Sequence, residues 1–175
     1  MKRESGLTTQ KSKAEFSSED SVEPILGFTD AETVKLDLDD MGFKSVKYWA
    51  LKAMKKFGLN GWIVLKSSHK HYHVVFDRKI TWENNLAVIN WVAILSNNVS
   101  LFRYLAMQCI KKGSTLRVGA KGDKPSPRII YRCGEQGHGI KDFLKHRELI
   151  KRIYRSMEST SYFRRENLLT ALTES

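Results

Sequence analysis

Cysteine and long apolar stretches are what this sequence has least of. Its 175 residues include only two cysteines, Cys109 and Cys133, which are too few for the disulfide framework of a small secreted domain. No apolar run approaches the roughly 18 residues that a membrane-spanning helix needs. The residues after Met1 also lack the apolar core of a signal peptide. We therefore expect a cytoplasmic protein with no membrane partner.

Acidic residues are also scarce relative to basic ones. The chain has 30 Lys and Arg against 19 Asp and Glu, a net charge of +11 and a pI near 9.7. The excess lies in the middle of the chain, because residues 31–140 hold 18 basic and only 8 acidic side chains. A basic globular domain of this kind favours a polyanionic partner, and nucleic acid is the commonest one. The alternative is a basic surface that serves only solubility.

The composition predicts one folded domain between two terminal segments. Residues 1–24 are polar and have few large apolar side chains, so burial cannot offset the entropy cost of ordering them. We predict a disordered arm over residues 1–24 and a folded domain with a basic C-terminal helix over residues 25–160. Residues 161–175 are predicted to form a tail. A single domain is also the expectation for a chain of this length.

The apolar periodicity of the folded part alternates between that of strands and that of helices. It begins β-α-β-β and predicts an α+β domain, an antiparallel sheet with packed helices. Thr81 is the expected N-cap of one helix and Gly58 the expected C-terminal glycine of another. The predicted strands are Thr33–Asp39, Gly61–Lys66, His71–Asp77, and a further pair, Thr115–Val118 with Arg128–Tyr131; the predicted helices are Lys44–Phe57, Trp82–Leu95, Ser100–Lys112 and Ile140–Met157.

Two acids and two histidines stand at alternating positions of two predicted strands. Asp37 and Asp39 share one face of the first strand, because successive side chains of a strand point to opposite faces. His73 follows Asp39 by thirty-four residues, and His71 shares its face. Carboxylate oxygens are the ligands that hard divalent cations prefer, and imidazoles beside them can meet phosphate. The pattern predicts a divalent-cation site at Asp37 and Asp39.

This succession of motifs resembles the first two motifs of the archaeo-eukaryotic primase superfamily. The run from Thr33 to Phe76 carries the resemblance: hydrophobic-Asp-hydrophobic-Asp, a helix, an extended strand, and then Ser-Ser-His-Lys-His-Tyr-His. The family reads Ser-Gly-x-Gly-Tyr-His at its second motif. The resemblance implies an RRM-like palm in which Asp37 and Asp39 are catalytic and hold Mg²⁺ or Mn²⁺. It also implies that Ser67, Ser68 and His73, with His71 on the same face, bind the phosphates of a nucleoside triphosphate. The implied function is metal-dependent nucleotidyl transfer on DNA in replication or repair.

The sequence departs from that family where a third acid is expected on a later strand. After Glu83 no carboxylate occurs until Asp123, and the segment between Lys111 and Arg117 offers lysines instead. One alternative is therefore a catalytically reduced protein on the same fold that only binds single-stranded DNA.

A basic, turn-rich loop lies between the last two predicted strands. It contains glycine and proline next to several cations, which is typical of a groove that follows a phosphate backbone. We expect it to bind single-stranded or primer-template DNA, and the competing interpretation is an ordinary exposed hairpin tip. The expected DNA-binding residues are Arg117, Lys121, Lys124 and Arg128.

The histidines also support a second alternative. His71 and His73 form a His-hydrophobic-His pair, which resembles the metal motif of rolling-circle replication initiators, whose tyrosine attacks DNA. That motif requires a tyrosine followed by lysine three or four residues later. Tyr104, Tyr154 and Tyr162 are not followed by lysine at that spacing.

The composition of the arm leads to a first testable prediction. Deletion of residues 1–24 is expected to leave the melting temperature within a few degrees of the full chain, because the segment has little apolar surface to bury. Thermal denaturation followed by circular dichroism measures this. A large drop in melting temperature would show instead that the arm packs on the domain, with Phe16 as its candidate anchor.

Overall fold

The structure is a computed structural model, and it describes residues 26–121, 123–153 and 155. The described part is an α+β fold in which helices pack on antiparallel sheets, as the sequence predicts. The strands are β1 (Gly27–Asp30), β2 (Thr33–Leu38), β3 (Gly61–Ser68), β4 (His71–Lys79), β5 (Ser114–Arg117) and β6 (Arg128–Gly134); the helices are α1 (Phe43–Phe57), α2 (Trp82–Ser96), α3 (Val99–Lys111) and α4 (residues 138–153).

The main sheet has four antiparallel strands in the order β2-β4-β3-β6. One face of β2 carries Val34, Leu36 and Leu38, which belong to the hydrophobic core. Helix α1 packs against β3 and β4, and α2 packs against β2, α1 and α3. The opposite face of β2 is left for Lys35 and Asp37, because side chains alternate along a strand. An RRM-like palm remains a prediction for this arrangement.

Local sequence signals explain where the helices begin and end. The Oγ1 of Thr81 accepts a hydrogen bond from the backbone N–H of Asn84 at 3.4 Å, so the predicted N-cap of α2 is confirmed. Gly58 ends α1 in the left-handed conformation with φ 61°, which glycine adopts at little cost. Trp49 and Phe57 of α1 pack edge-on against Trp91 of α2. These aromatic rings therefore belong to the helix interface.

A buried lysine attaches a second, two-stranded sheet of β1 and β5 to β2. Lys35 is fully buried, and its Nζ lies 2.9 Å from Asp30 Oδ2 and donates to the backbone carbonyl of Ser114 at 2.9 Å. The same ammonium group lies 4.7 Å from the centre of the Phe28 ring. Burial lowers the pKa of Lys35 to about 8, although the charge of Asp30 opposes that shift. One side chain thus joins three strands.

Helix α4 is fixed to β4 by a carboxylate. The Oδ1 of Asp77 accepts a hydrogen bond from the backbone N–H of Ile140 at 3.1 Å, near the N-terminus of α4. Gly139 allows this close approach, since a Cβ there would lie 1.8 Å from the backbone oxygen of Asp77. Ile140 and Phe143 then enter the core. Asp77 is therefore engaged as a helix cap.

The predicted pairing of the last two strands is wrong. β5 pairs with β1, and β6 adds to the edge of the main sheet beside β3, with Trp62 opposite Cys133. β5 and β6 pair with strands that are distant in the sequence, so no turn between neighbouring strands predicts these partners. β1 was not predicted at all, because Gly27-Phe28-Thr29-Asp30 is too short to show a strand repeat. The β3–β4 turn is also tighter than predicted, since β3 continues to Ser68 and Lys70 has φ 57°.

The terminal predictions are only partly covered by the described residues. The predicted arm (1–24) and tail (161–175) lie outside them. The basic C-terminal helix begins at residue 138 and is described through residue 153. Across residues 26–121, 123–153 and 155, no helix is both long and apolar enough to cross a bilayer.

The Lys35 cluster gives a stability prediction. Lys35→Met is expected to lower the free energy of unfolding by about 2 kcal/mol, less than for a fully buried pair because Asp30 keeps some contact with water. Adding Asp30→Asn should restore part of that loss. Urea denaturation measures both effects, with Lys44→Met on the exposed face of α1 as control at within about 0.5 kcal/mol. Equal losses for Lys35→Met and Lys44→Met would mean that the cluster contributes nothing.

Candidate functional site

The two acids and two histidines meet across the β2–β4 pair. Asp37 and His73 are directly opposite one another in the strand register. The Oδ1 of Asp37 lies 3.5 Å from His73 Nε2, and the Oδ1 of Asp39 lies 2.5 Å from His71 Nδ1. Tyr72, between the histidines, contacts Phe43 of α1 on the other face. The alternation expected from the sequence therefore holds on both strands.

These side chains line one cleft of about 220 Å³. Its walls come from β2, from both strands of the β3–β4 hairpin, and from β5 with the loop that follows it. Of the ten residues predicted to form the site, only Arg128 is missing from the lining. The lining residues are Asp37, Asp39, Ser67, Ser68, His71, His73, Arg117, Lys121 and Lys124.

Arg117 forms hydrogen bonds to both the β3–β4 hairpin and the loop after β5. Its Nη2 donates to the hydroxyl of Ser67 at 2.6 Å, and its Nη1 donates to the backbone carbonyls of Gly119 at 2.5 Å and Pro125 at 3.0 Å. The sequence predicted that Arg117 would contact a DNA backbone. In the structure most of its donors are engaged within the protein, so it positions Ser67 and the loop while adding positive charge to the cleft.

The loop after β5 brings two lysines to the same cleft. The backbone N–H of Lys121 donates to the carbonyl of Lys124 at 3.0 Å, and the reverse bond is 2.9 Å long. This small turn places both side chains in the lining. The two ammonium groups and the Arg117 guanidinium therefore give the cleft three cations facing two carboxylates.

Asp37 is the most perturbed acid of the site. Burial raises its pKa to about 7, and the negative charge of Asp39 adds to the rise. The positive charges of Arg117 and Lys124 and the neighbouring His71 oppose it and do not cancel it. Near neutral pH Asp37 is therefore partly protonated. Additional positive charge in the cleft would stabilise both carboxyl groups as anions.

His73 is held neutral beside that carboxyl group. Burial, reinforced by the positive charge of Arg117, lowers its pKa to about 3. Its Nε2 faces Asp37, while its Nδ1 is buried and has no hydrogen-bond partner in the described structure. A neutral imidazole therefore lies 3.5 Å from the Oδ1 of Asp37.

The acids are suited to a magnesium or manganese ion that arrives with substrate. Mg²⁺ is usually bound by one or two carboxylates together with substrate phosphates and water, and Asp37 and Asp39 supply the carboxylates. Burial and the charge of Asp39 raise the pKa of Asp37, and a bound cation would oppose that rise. Among the described residues, no group of three or more His, Cys, Asp or Glu is arranged to hold a metal ion. The remaining ligands would have to be phosphate oxygens and water.

Arg128 lies in a neighbouring cleft of about 490 Å³. The two clefts share the serines at the end of β3, so Arg128 is beside the acidic site and outside its lining. This second cleft is lined by Lys66, Ser67, Ser68, His69, Pro125, Ser126 and Arg128.

A third cleft, of about 420 Å³, lies on the other side of the two acids. Sequence reasoning missed it, although its α3 residues recur every three or four positions and so form one helix face. Only the packing of α3 beside β2 shows which face is turned toward the acids. The lining residues are Asp37, Asp39, Ser100, Arg103, Tyr104, Met107, Gln108, Lys111 and Thr115.

The tyrosines considered for a nicking reaction are unequally described. Tyr104 is buried, with 8% of its surface exposed. Tyr154 and Tyr162 lie outside the described residues.

Comparisons of the chain with protein-family models, curated proteins and solved structures find no match. The functional assignment therefore depends on the site itself.

The opposite pKa shifts of Asp37 and His73 give a pH prediction. The raised pKa of Asp37 stabilises the fold below pH 3.8, and this contribution is lost as pH rises through about 7. The lowered pKa of His73 acts oppositely: its contribution is present above 6.5 and lost as pH falls through about 3. The two effects largely cancel, so Asp37→Asn should expose that of His73. As the pH rises from about 3 to 6.5, we expect the free energy of unfolding of this variant to rise relative to that of the unmodified protein.

Urea denaturation at stepped pH measures this difference. Asp40→Asn, on the exposed residue next to the site, is the matched control and should follow the unmodified protein. Parallel pH profiles for Asp37→Asn and the unmodified protein would show that folding does not raise the pKa of Asp37.

Proposed function

We propose that the acidic cleft binds a nucleoside triphosphate with Mg²⁺ or Mn²⁺ and transfers the nucleotide to DNA, as a primase-polymerase would. One observation carries the proposal: two carboxylates, two serines and three cations from segments far apart in sequence line a single cleft. Phosphoryl transfer depends on positioning and charge stabilisation, and these are the groups it uses. The motif order, which resembles that of the archaeo-eukaryotic primase superfamily, supports the same function.

The basic side of the cleft suits a triphosphate. Ser67 and Ser68 provide hydroxyl donors at the end of β3, and Lys121 and Lys124 provide charge from the opposite wall. Hydrogen bonds between cationic donors and phosphate oxygens are about twice as strong as neutral ones. Arg117 keeps Ser67 in place through its 2.6 Å bond. The phosphates would therefore lie between the hairpin and the loop.

The acidic side of the cleft suits the cation. Asp37 and Asp39 would hold it, and a bound divalent ion would neutralise the charge that develops on the phosphate oxygens. The binding of a cation favours the deprotonated form of Asp37. A neutral His73 with its proton on Nε2 would face that carboxylate across 3.5 Å and favour one direction for it. His73 is thus a positioning residue.

The transfer requires only the acceptor nucleotide, the triphosphate and water. The 3′-hydroxyl oxygen of an acceptor nucleotide forms a bond to the α-phosphorus of the triphosphate. The bond from that phosphorus to the bridging oxygen of the β-phosphate breaks, and pyrophosphate leaves with the electron pair. The hydroxyl proton passes to water. Lys121 and Lys124 would stabilise the charge on the departing pyrophosphate.

A catalytically reduced protein that binds single-stranded DNA is the second candidate, and Arg117 favours it. The family places a third acid on a later strand, and here the strand β5 brings Arg117 to the cleft instead. Its charge acts on Asp37 and partly replaces that of a cation. Such a cleft would bind phosphate groups of a strand without turning over a triphosphate, and its DNA binding would be independent of metal.

The double substitution Asp37→Asn with Asp39→Asn tests the proposal. It should abolish the binding of Mn²⁺ with a non-hydrolysable nucleoside triphosphate and abolish primer extension, since the anionic ligands are gone. Calorimetry and a primer-extension assay measure the two effects, with Asp40→Asn as the matched control. Single-stranded DNA binding in EDTA should persist or strengthen, because two negative charges near the phosphates are removed.

Measurements on the unmodified protein can contradict the proposal most directly. If calorimetry detects no binding of Mn²⁺ with nucleotide, and primer extension fails while DNA binding in EDTA is retained, the catalytic proposal is wrong and the binding function replaces it.

A further inference from the structure

The wall formed by Asp37 and Asp39 has a cleft on each side. The cleft with the serines and lysines is the one proposed to take the triphosphate. The other, of about 420 Å³, runs between the same two carboxylates and helix α3. A group bound in either cleft would therefore approach the acids from its own side.

The α3 wall of this cleft carries cations at separated points. Arg103 and Lys111 both line it, eight residues apart on one helix face, which corresponds to about 12 Å along the axis. Neither side chain forms an ion pair with another residue of the described part of the chain. Between them lies Met107, which is 50% exposed. Two free cations separated by an apolar side chain suit a chain of phosphates joined by sugars.

The floor of the cleft is rigid and polar. The side chain of Gln108 donates to the Tyr104 carbonyl at 3.1 Å and accepts from the Thr115 N–H at 2.9 Å, which fixes α3 to β5. The side chain of Tyr104 is buried beside these groups, with 8% of its surface exposed. These hydrogen bonds hold the α3 wall of the cleft against β5.

We propose that the α3 cleft holds the acceptor strand, a single strand of DNA whose backbone lies along Arg103 and Lys111 and whose 3′ end reaches Asp37 and Asp39. This rests on the proposed nucleotidyl transfer. In an in-line displacement the attacking oxygen and the leaving group lie on opposite sides of the phosphorus. Since Lys121 and Lys124 hold the pyrophosphate side, the acceptor has to enter from the other side of the acids.

One competitor for strand binding is the outer face of α1. That helix carries five lysines and no acid, and Lys52 and Lys55 are exposed there. It packs on the opposite face of the main sheet, however, so a strand bound to it could not reach the acids. The two surfaces have the same charge chemistry and differ only in position, which makes the α1 lysines a charge-matched control.

Fluorescence anisotropy with a labelled single-stranded oligodeoxynucleotide, in EDTA and over a range of salt, tests the inference. Arg103→Gln with Lys111→Gln should weaken binding roughly tenfold or more and reduce the slope of log K against log salt by about 1.4, at about 0.7 per lost phosphate contact. Lys52→Gln with Lys55→Gln should reduce both the affinity and the slope by less. Met107→Glu keeps both cations and should also weaken binding, because it adds a negative charge to the cleft.

Several results would overturn the inference: no strand binding by the unmodified protein, unchanged binding in both α3 variants, or an equal loss in the α1 control. If Arg103→Gln with Lys111→Gln does not fold, Met107→Glu decides. Calorimetry with Mn²⁺ and a non-hydrolysable nucleoside triphosphate separates this inference from the proposed function. The α3 variants should bind the nucleotide as tightly as the unmodified protein does. If the unmodified protein does not bind the nucleotide, the triphosphate site is refuted. The result on strand binding is then judged separately.

Discussion

The antiparallel register between β2 and β4 is the constraint on which this molecule depends. It sets Asp37 opposite His73, while Leu36 and Val74, one residue away on each strand, lie buried in the core. A slip of one residue would expose the apolar side chains and bury the charged ones. The energy of the core therefore enforces the geometry of the site, and the site needs no separate stabilisation of its position.

Charge balance is the second organising feature of the cleft. Asp37 and Asp39 repel each other, and burial alone would favour protonation of Asp37. Arg117 compensates in part, yet its donors are taken up by Ser67 and by the loop backbone. The cleft thus combines uncompensated negative charge at one end with positive charge at the other. A metal-bound triphosphate carries the complementary distribution of charge.

Those parts of the fold and site that depend on local pattern could be predicted from the sequence. Alternation placed Asp37 and His73 on their faces, and the cap signal of Thr81 placed the start of α2. The partners of β5 and β6 could not be predicted, because they are set by non-local packing such as the burial of Lys35 between β1 and β5. The α3 cleft was missed for a related reason: a helix face is visible in sequence, and the strand that it faces is not.

Asp77 has a consequence for how the sequence of this fold can vary. It lies on β4, two alternating positions beyond His73, where a scan for acids would count it as a possible metal ligand. Its carboxylate instead accepts the Ile140 N–H at the start of α4. A helix cap needs an acceptor oxygen and no charge, so asparagine would serve there nearly as well as aspartate. Among homologous chains, aspartate and asparagine should therefore interchange at position 77, whereas glycine should be retained at position 139.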